Sequence, residues 1–340
     1  MRILQAGRRG VSANRHPLPR LTGPPVHQIL AVAAALPGLI QAQAPTYTWE
    51  RVEAAGRGAF EDDWQPGKWP MAVHPIAEAD GLLMVGNHRL WSSPDGLTWN
   101  SMSRLPGPRR IGVSSILHGN RLWVIGGQVG STFTSQLWTT AHGTVWFGRT
   151  TPPWSGRRGS ALVSFRGFVW VFGGENKTKL NDVWRTTDGN AWERVLEHGA
   201  WSPESQPIPV VLRDSLFLIG GTSWTATTAE VWASADGERW QRVVERAPWG
   251  PRVFPGVVAF DDQLWILGGV RPDGTRLNDI WRSPDGRRWN RVTDSAPWTP
   301  RAGNRAVVYR SELWLLGGKG KEEDLESGYA GDIWRMRRQP

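Results

Sequence analysis

The chain has 340 residues, 39% of them hydrophobic, with 23 Trp against 3 Tyr and 9 Phe, and it contains no Cys. That apolar content excludes a disordered chain, and the missing thiols exclude disulfides, thiolate metal sites and cysteine nucleophiles. The net charge of +9 sits mostly in an N-terminal segment, where Arg2, Arg8, Arg9, Arg15 and Arg20 precede the first carboxylate, Glu50. The remainder holds 35 basic and 31 acidic residues, a net of +4, which gives no basic stripe for a nucleic-acid partner.

Residues 29–40 (ILAVAAALPGLI) form an apolar stretch behind this basic segment, followed by the small residues Ala42 and Ala44. The order matches a secretory signal, and Pro45 disfavours a cut after Ala44, so residues 1–42 are expected to be removed by cleavage after Ala42. Twelve residues broken by Pro37-Gly38 are too few for a stable membrane span. The expected location is therefore secreted or periplasmic, with a mitochondrial presequence as the alternative.

A repeat then begins. An apolar run ends in a Gly pair at LWVIGG (Gly126-Gly127), VWVFGG (Gly173-Gly174), LFLIGG (Gly220-Gly221), LWILGG (Gly268-Gly269) and LWLLGG (Gly317-Gly318), spaced by 47, 47, 48 and 49 residues. After each pair comes an apolar-Trp step, at Trp138, Trp184, Trp232, Trp281 and Trp334. A turn and a further Trp follow in four copies, as in DGNAW (Trp192) and DGERW (Trp240). A degenerate earlier copy reads LLMVGN, then RLW at Trp91 and DGLTW at Trp99, making six in all. Each copy predicts four short strands: GVVAF (256–260), a tight turn at Asp261-Asp262, QLWILGG, NDIWRS, an Asp-Gly turn and RWNRV. Periods of this length with four strands belong to propeller blades.

The apolar run, Gly-Gly, variable loop and two spaced aromatics resemble the kelch repeat over roughly residues 70–338. Here Trp stands at the third-strand position where that family usually has Tyr. The resemblance implies an all-β, six-bladed kelch-type β-propeller over residues 43–340, with four-stranded antiparallel blades. The last copy stops at GDIWRMRRQP without a fourth strand, and YTWERV (47–52) near the start supplies what it lacks. The N-terminal strand is therefore expected to pair with the C-terminal blade and close the ring.

In such a ring the first strands line a channel, and the loops joining strands four to one and two to three share one rim. Counting sixteen residues back from each first Gly gives Pro70, Arg110, Arg157, Glu204, Arg252 and Arg301. Four Arg would ring the mouth and suit a carboxylate or phosphate; a repeated structural role is the competing reading. Four residues further on stand His74, Ser114, Ala161, Ile208, Gly256 and Arg305, and closure would bring His74 and Arg305 near each other. Trp154, Trp201, Trp249 and Trp298 recur before first strands and are expected to wedge between blades. Trp224, in a loop without counterparts, is a candidate stacking platform.

Enzyme signatures are sparse: no nucleophile elbow, Walker loop or dinucleotide fingerprint occurs, and the His residues show no paired ligand spacing. No cofactor and no metal are expected. Galactose oxidase also contains a kelch propeller, but its cofactor needs a Cys. Sialidases carry Asp-box turns, and SPDGLTW (93–99) and SPDGRRW (283–289) each fall one residue short of that box. Exported bacterial sialic-acid mutarotases are six-bladed kelch propellers, so blade count and leader fit them. The leading expectation is a monomeric, non-catalytic binding module for a glycan or protein, with an acidic ligand favoured, using Arg110, Arg157, Arg252, Arg301, Glu204, His74, Arg305 and Trp224. The alternative is a sugar-modifying enzyme, mutarotase-like before sialidase-like, with Glu204 or His74 carrying the proton.

Overall fold

The computed structural model describes residues 46–52, 74–78, 81–86, 88–203, 208–220, 229–321 and 332–339, with the backbone alone for 74–78. The leader, residues 1–42, lies outside them. Strand β1 (Tyr47–Val52) comes first. Blade I follows, with β2 (His74–Glu78), β3 (Gly81–Val85), β4 (Arg89–Ser93) and β5 (Asn100–Arg104). Blade II has β6 (Ser114–His118) and β7 (Arg121–Ile125), a small hairpin of β8 (Gln128–Val129) and β9 (Thr132–Phe133), then β10 (Leu137–Thr140) and β11 (Phe147–Gly148). Blade III is β12 (Ala161–Phe165), β13 (Phe168–Glu175), β14 (Lys179–Thr186) and β15 (Glu193–Leu196). Blade IV is β16 (Pro209–Leu212), β17 (Ser215–Ile219), β18 (Val231–Ser234) and β19 (Gln241–Val244). Blade V is β20 (Gly256–Phe260), β21 (Gln263–Val270), β22 (Arg276–Ser283) and β23 (Asn290–Thr293). Blade VI has β24 (Arg305–Tyr309), β25 (Glu312–Leu316) and β26 (Ile333–Arg338), and takes β1 as its fourth strand.

The first strands are neighbours all the way round: β2 beside β6, β6 beside β12, then β16, β20, β24 and β2 again. Six antiparallel sheets therefore share one axis, and the fold is a six-bladed β-propeller. Among the described residues there is no helix, and hence none long and apolar enough to cross a membrane. The second strands are sandwiched by neighbouring blades on both faces, so LWVI of β7 and LWIL of β21 are buried along their length. Outer strands such as β23 face solvent and read as polar.

Successive blades meet where an aromatic ring lies on a glycine. A Cβ at Gly96, Gly189, Gly237 or Gly286 would fall under 3.0 Å from the second-strand ring of the preceding blade, namely Trp314, Trp123, Trp170 or Phe217. These glycines also have positive φ, between 71 and 81°, so the turn demands glycine twice over. Blade I carries Leu83 in place of the ring, and Met102 and Leu90 fill the space against Gly143. The Asp-Gly turn is wider than a two-residue hairpin, and Trp289 belongs to it rather than to the fourth strand, which starts at Asn290. Ser283 Oγ accepts the Gly286 N–H (2.8 Å), and Asp285 Oδ1 accepts the N–H groups of Arg287 and Arg288, both at 2.9 Å. Ser93/Asp95, Thr186/Asp188 and Ser234/Asp236 repeat the arrangement.

At the seam, β1 pairs with β26 from Tyr47↔Arg338 to Val52↔Ile333. No glycine turn exists there; instead the Tyr47 ring meets Trp265 edge-on at 5.1 Å, and its hydroxyl donates to Asp261 Oδ2 at 2.6 Å. Burial, then the hydrogen bond to Asp261, push the phenol up to about 12. Trp49 packs on Trp298 with ring centroids 4.4 Å apart.

Tyr47→Phe should cost about 1 kcal/mol of stability, the worth of one hydrogen bond. Removing residues 46–52 should leave β26 as an open edge, with a collapsed thermal transition and aggregation on a sizing column; a monodisperse truncated chain with an unchanged midpoint would refute the closure. Two backbone N–H groups hold the Asp236 carboxyl below the usual carboxylate range. Its folded pKa lies under the unfolded value of about 3.9, so its contribution is complete above that pH and vanishes as pH falls through the folded value. Asp236→Asn should cost about 1 kcal/mol at pH 7, with the difference from the parent shrinking on acidification in denaturant titrations.

Candidate functional site

The four arginines read as a rim are placed inside the blades. Arg110, Arg157, Arg252 and Arg301 are at most 3% exposed, so they do not ring the mouth. The sixteen-residue offset is itself a hydrogen bond: the guanidinium NH1 donates to the carbonyl of Gly126 (3.3 Å), Gly173 (3.1 Å), Gly268 (3.0 Å) or Gly317 (3.2 Å). In blades III, V and VI the fork also grips a carboxylate. Arg157 bonds Asp182 at 2.6 and 2.9 Å, Arg252 bonds Asp279 at 2.7 and 2.9 Å, and Arg301 bonds Asp332, with NH2 at 3.0 Å. The same carboxylates accept the indole N–H two residues on, from Trp184 (2.8 Å), Trp281 (2.8 Å) and Trp334 (2.7 Å). Burial pushes the Asp332 carboxyl up, but the Arg301 fork and the Trp334 indole outweigh it and leave it below the usual range.

The arginine main chain belongs to the preceding blade. Gly127 N–H donates to Arg157 O and Gly269 N–H to Arg301 O, both at 2.9 Å. The residue after each arginine then bridges to the residue after the Gly pair, at Ile111↔Gln128, Arg158↔Glu175, Val253↔Val270 and Ala302↔Lys319. Asp182, Asp279 and Asp332 are functional to the scaffold and were not nominated from the sequence. Their signal was available, because each stands two residues before the third-strand Trp.

The remaining nominees differ. Glu204 and Trp224 lie outside the described residues. His74 opens β2, whose backbone runs beside that of β24. Arg305 opens β24 and is half-buried. By strand alternation it shares the face of Val307 and Tyr309, which packs against blade I. Burial draws its guanidinium down to about 10. The aligned positions in blades II to V hold uncharged residues: Ser114, Ala161, Ile208 and Gly256. Trp154, Trp201, Trp249 and Trp298 are buried between blades, Trp154 against Trp192 at 4.5 Å and Trp201 against Trp240 at 5.1 Å. Along the same rim Arg158 pairs with Glu175 and donates to Gln128 Oε1 at 2.7 Å, and Arg276 donates to Lys319 O at 3.2 Å. Among the described residues no group of three or more His, Asp or Glu is placed to hold a metal ion.

The fold is similar to that in the solved structure of YjhT, with a TM-score of 0.64 at 13% identity, covering 81% of this chain and 98% of that one. That likeness speaks to the fold. No family model and no curated sequence matched the chain.

Arg252→Met should cost about 3–5 kcal/mol, because it strands the Asp279 carboxylate in a buried setting, and Arg252→Met with Asp279→Leu should recover much of that loss. Denaturant unfolding checks both. A guanidinium that served a ligand instead would leave the unfolding midpoint in place.

Proposed function

We propose that this chain is an exported kelch-type propeller that binds an acid-bearing glycan or protein at the mouth of its channel, without chemistry of its own. One observation carries the reading. The repeated arginines are consumed inside the blades, whereas Arg305 places a cation at the head of an innermost strand where blades II to V have the uncharged Ser114, Ala161, Ile208 and Gly256. The planar fork of a guanidinium fits a carboxylate. Loops of unequal length and sequence, such as Arg271–Thr275 in blade V and Asn176–Thr178 in blade III, surround it on that side. Affinity would rest on a few such contacts and on stacking at Trp224.

The second reading is a sugar-modifying enzyme at the same mouth, mutarotase-like, with Glu204 or His74 moving the proton and Arg305 holding the acid group. What favours it is the adjacency of β2 and β24, which sets the first residues of blades I and VI on neighbouring innermost strands.

Glycan-array and pull-down measurements on residues 43–340 separate the two. Binding should fall about tenfold or more in Arg305→Gln, as expected for one lost charged contact, with the melting temperature retained. Trp224→Ala should also weaken it, and Glu204→Gln should leave it unchanged. A clean array, together with turnover of an acidic sugar that Glu204→Gln abolishes, would replace the first reading with the second.

A further inference from the structure

Blade II breaks the buried ionic pattern in two places that face the same spot. Register aligns Gln136 with Asp182, Glu230, Asp279 and Asp332: each precedes the residue paired with the end of the second strand, at Ile125↔Leu137, Phe172↔Val183, Ile219↔Val231, Leu267↔Ile280 and Leu316↔Ile333. Where blades III to VI carry an acid, blade II carries an amide, and the Gln136 side chain lies exposed. Arg110 nevertheless occupies the buried arginine position, 2% exposed, and bonds the Gly126 carbonyl as its counterparts do. Its guanidinium bonds are to carbonyls, Gly126 O and Pro106 O, both at 3.3 Å, and none goes to a carboxylate. Burial draws this guanidinium below its ordinary range with nothing to offset it.

The second break is Trp138. The third-strand indoles Trp184, Trp232, Trp281 and Trp334 all donate to an acid two residues earlier, at 2.7 to 3.1 Å. The Trp138 Nε1 is equally buried and has no partner. The wedge tryptophans Trp154, Trp249 and Trp298 also bury an unbonded N–H, but they do so identically in three blades, so theirs is a property of the repeat. Trp138 departs from its own class.

We propose that blade II holds a small-carboxylate site, in which a formate- or acetate-sized anion takes the place of the missing aspartate between the Arg110 guanidinium and the Trp138 indole N–H. In blades III, V and VI the same two donor positions converge on one carboxylate, so the donors are arranged for that geometry before any ligand arrives. The group replaced is an aspartate carboxylate, so a monocarboxylate of one or two carbons matches it in size and a sugar acid does not. Exposed Gln136 in place of a buried acid leaves the entrance on the solvent side. A buried fork and a buried N–H, each lacking the anion their counterparts have, gain the full benefit of a charged hydrogen bond when one binds. This site is independent of the channel-mouth reading.

The test is equilibrium dialysis of isotopically labelled acetate against the intact 43–340 protein, with glucuronate as a parallel probe. One equivalent of acetate should bind with a dissociation constant on the order of 1–10 mM, as suits so few atoms. Glucuronate should not compete. Gln136→Asp, a change at an exposed position, should abolish acetate binding and raise the melting temperature of the ligand-free protein to that of the acetate-saturated parent. Trp138→Phe should weaken binding several-fold. Absence of saturable acetate binding, or acetate binding that Gln136→Asp leaves intact, would overturn the site. Competition by glucuronate would overturn the size limit and move the anion source to a larger acidic ligand.

Discussion

The molecule depends on an arginine whose two ends belong to different blades. The main chain of Arg157 or Arg301 is bonded to the Gly pair of the preceding blade, while the guanidinium reaches into its own blade to a glycine carbonyl and an aspartate. A buried charge left unpaired costs several kcal/mol, so the fork, the carboxylate and the indole that completes it must all be present or all be replaced. This couples the angle between neighbouring blades to the geometry inside each blade. The Gly pair fits the same logic: Gly127, Gly174, Gly269 and Gly318 have φ of 100–108°, and a Cβ at Gly126 would strike the Arg157 carbonyl under 3.0 Å away.

A second set of contacts sets the spacing. Four turn glycines receive the second-strand ring of the blade before them, and three of those rings are fixed in turn by their own N–H: Trp123, Trp170 and Trp314 donate to the carbonyl five residues earlier at 3.0 to 3.2 Å, as Trp265 does at 2.8 Å. A closed ring has no slack in such contacts, because an error at one interface must be absorbed at the others. The seam solves this differently. With no turn to offer a glycine, blade VI presents Tyr47 to Trp265 and anchors the phenol on Asp261. A large ring on a ring replaces a ring on a backbone, and the two ends of the propeller are joined by hydrogen bonds from Gln339 N–H to Thr46 O and from the Gln339 side-chain amide to Thr48 Oγ1.

Blade number, strand order and the closing strand were legible because they rest on spacing: Gly pairs, Trp steps and an orphaned fourth strand are positional signals. The role of the arginines was not, because a sixteen-residue offset says that two groups are related without saying whether the side chain points in or out. The discriminating residue was the acid before the third-strand Trp. Asp182, Asp279 and Asp332 occur in the blades that keep Arg157, Arg252 and Arg301, whereas blade IV has Glu204 and Glu230 and blade II has Arg110 and Gln136. Glu230 accepts from Arg242, 2.8 Å away. The width of the Asp-Gly turn was missed for a related reason. The dipeptide predicts a positive φ at glycine but not that Asp285 would cap two further N–H groups and draw Trp289 into the loop.

Function in such a ring is found where the repeat fails, since every position it keeps is already committed to holding blades together. Arg157, Arg252 and Arg301 each commit their guanidinium to a glycine carbonyl and an aspartate of their own blade. Arg305 differs by position: the residues aligned with it in blades II to V are Ser114, Ala161, Ile208 and Gly256, none of them charged. Burial there draws its guanidinium below the ordinary range. A structural role repeated round the ring would have placed the same residue in every blade. Arg305 opens one innermost strand beside the strand that begins with His74, so the closing seam sets two unlike first residues on adjacent innermost strands, an asymmetry the repeat itself does not contain.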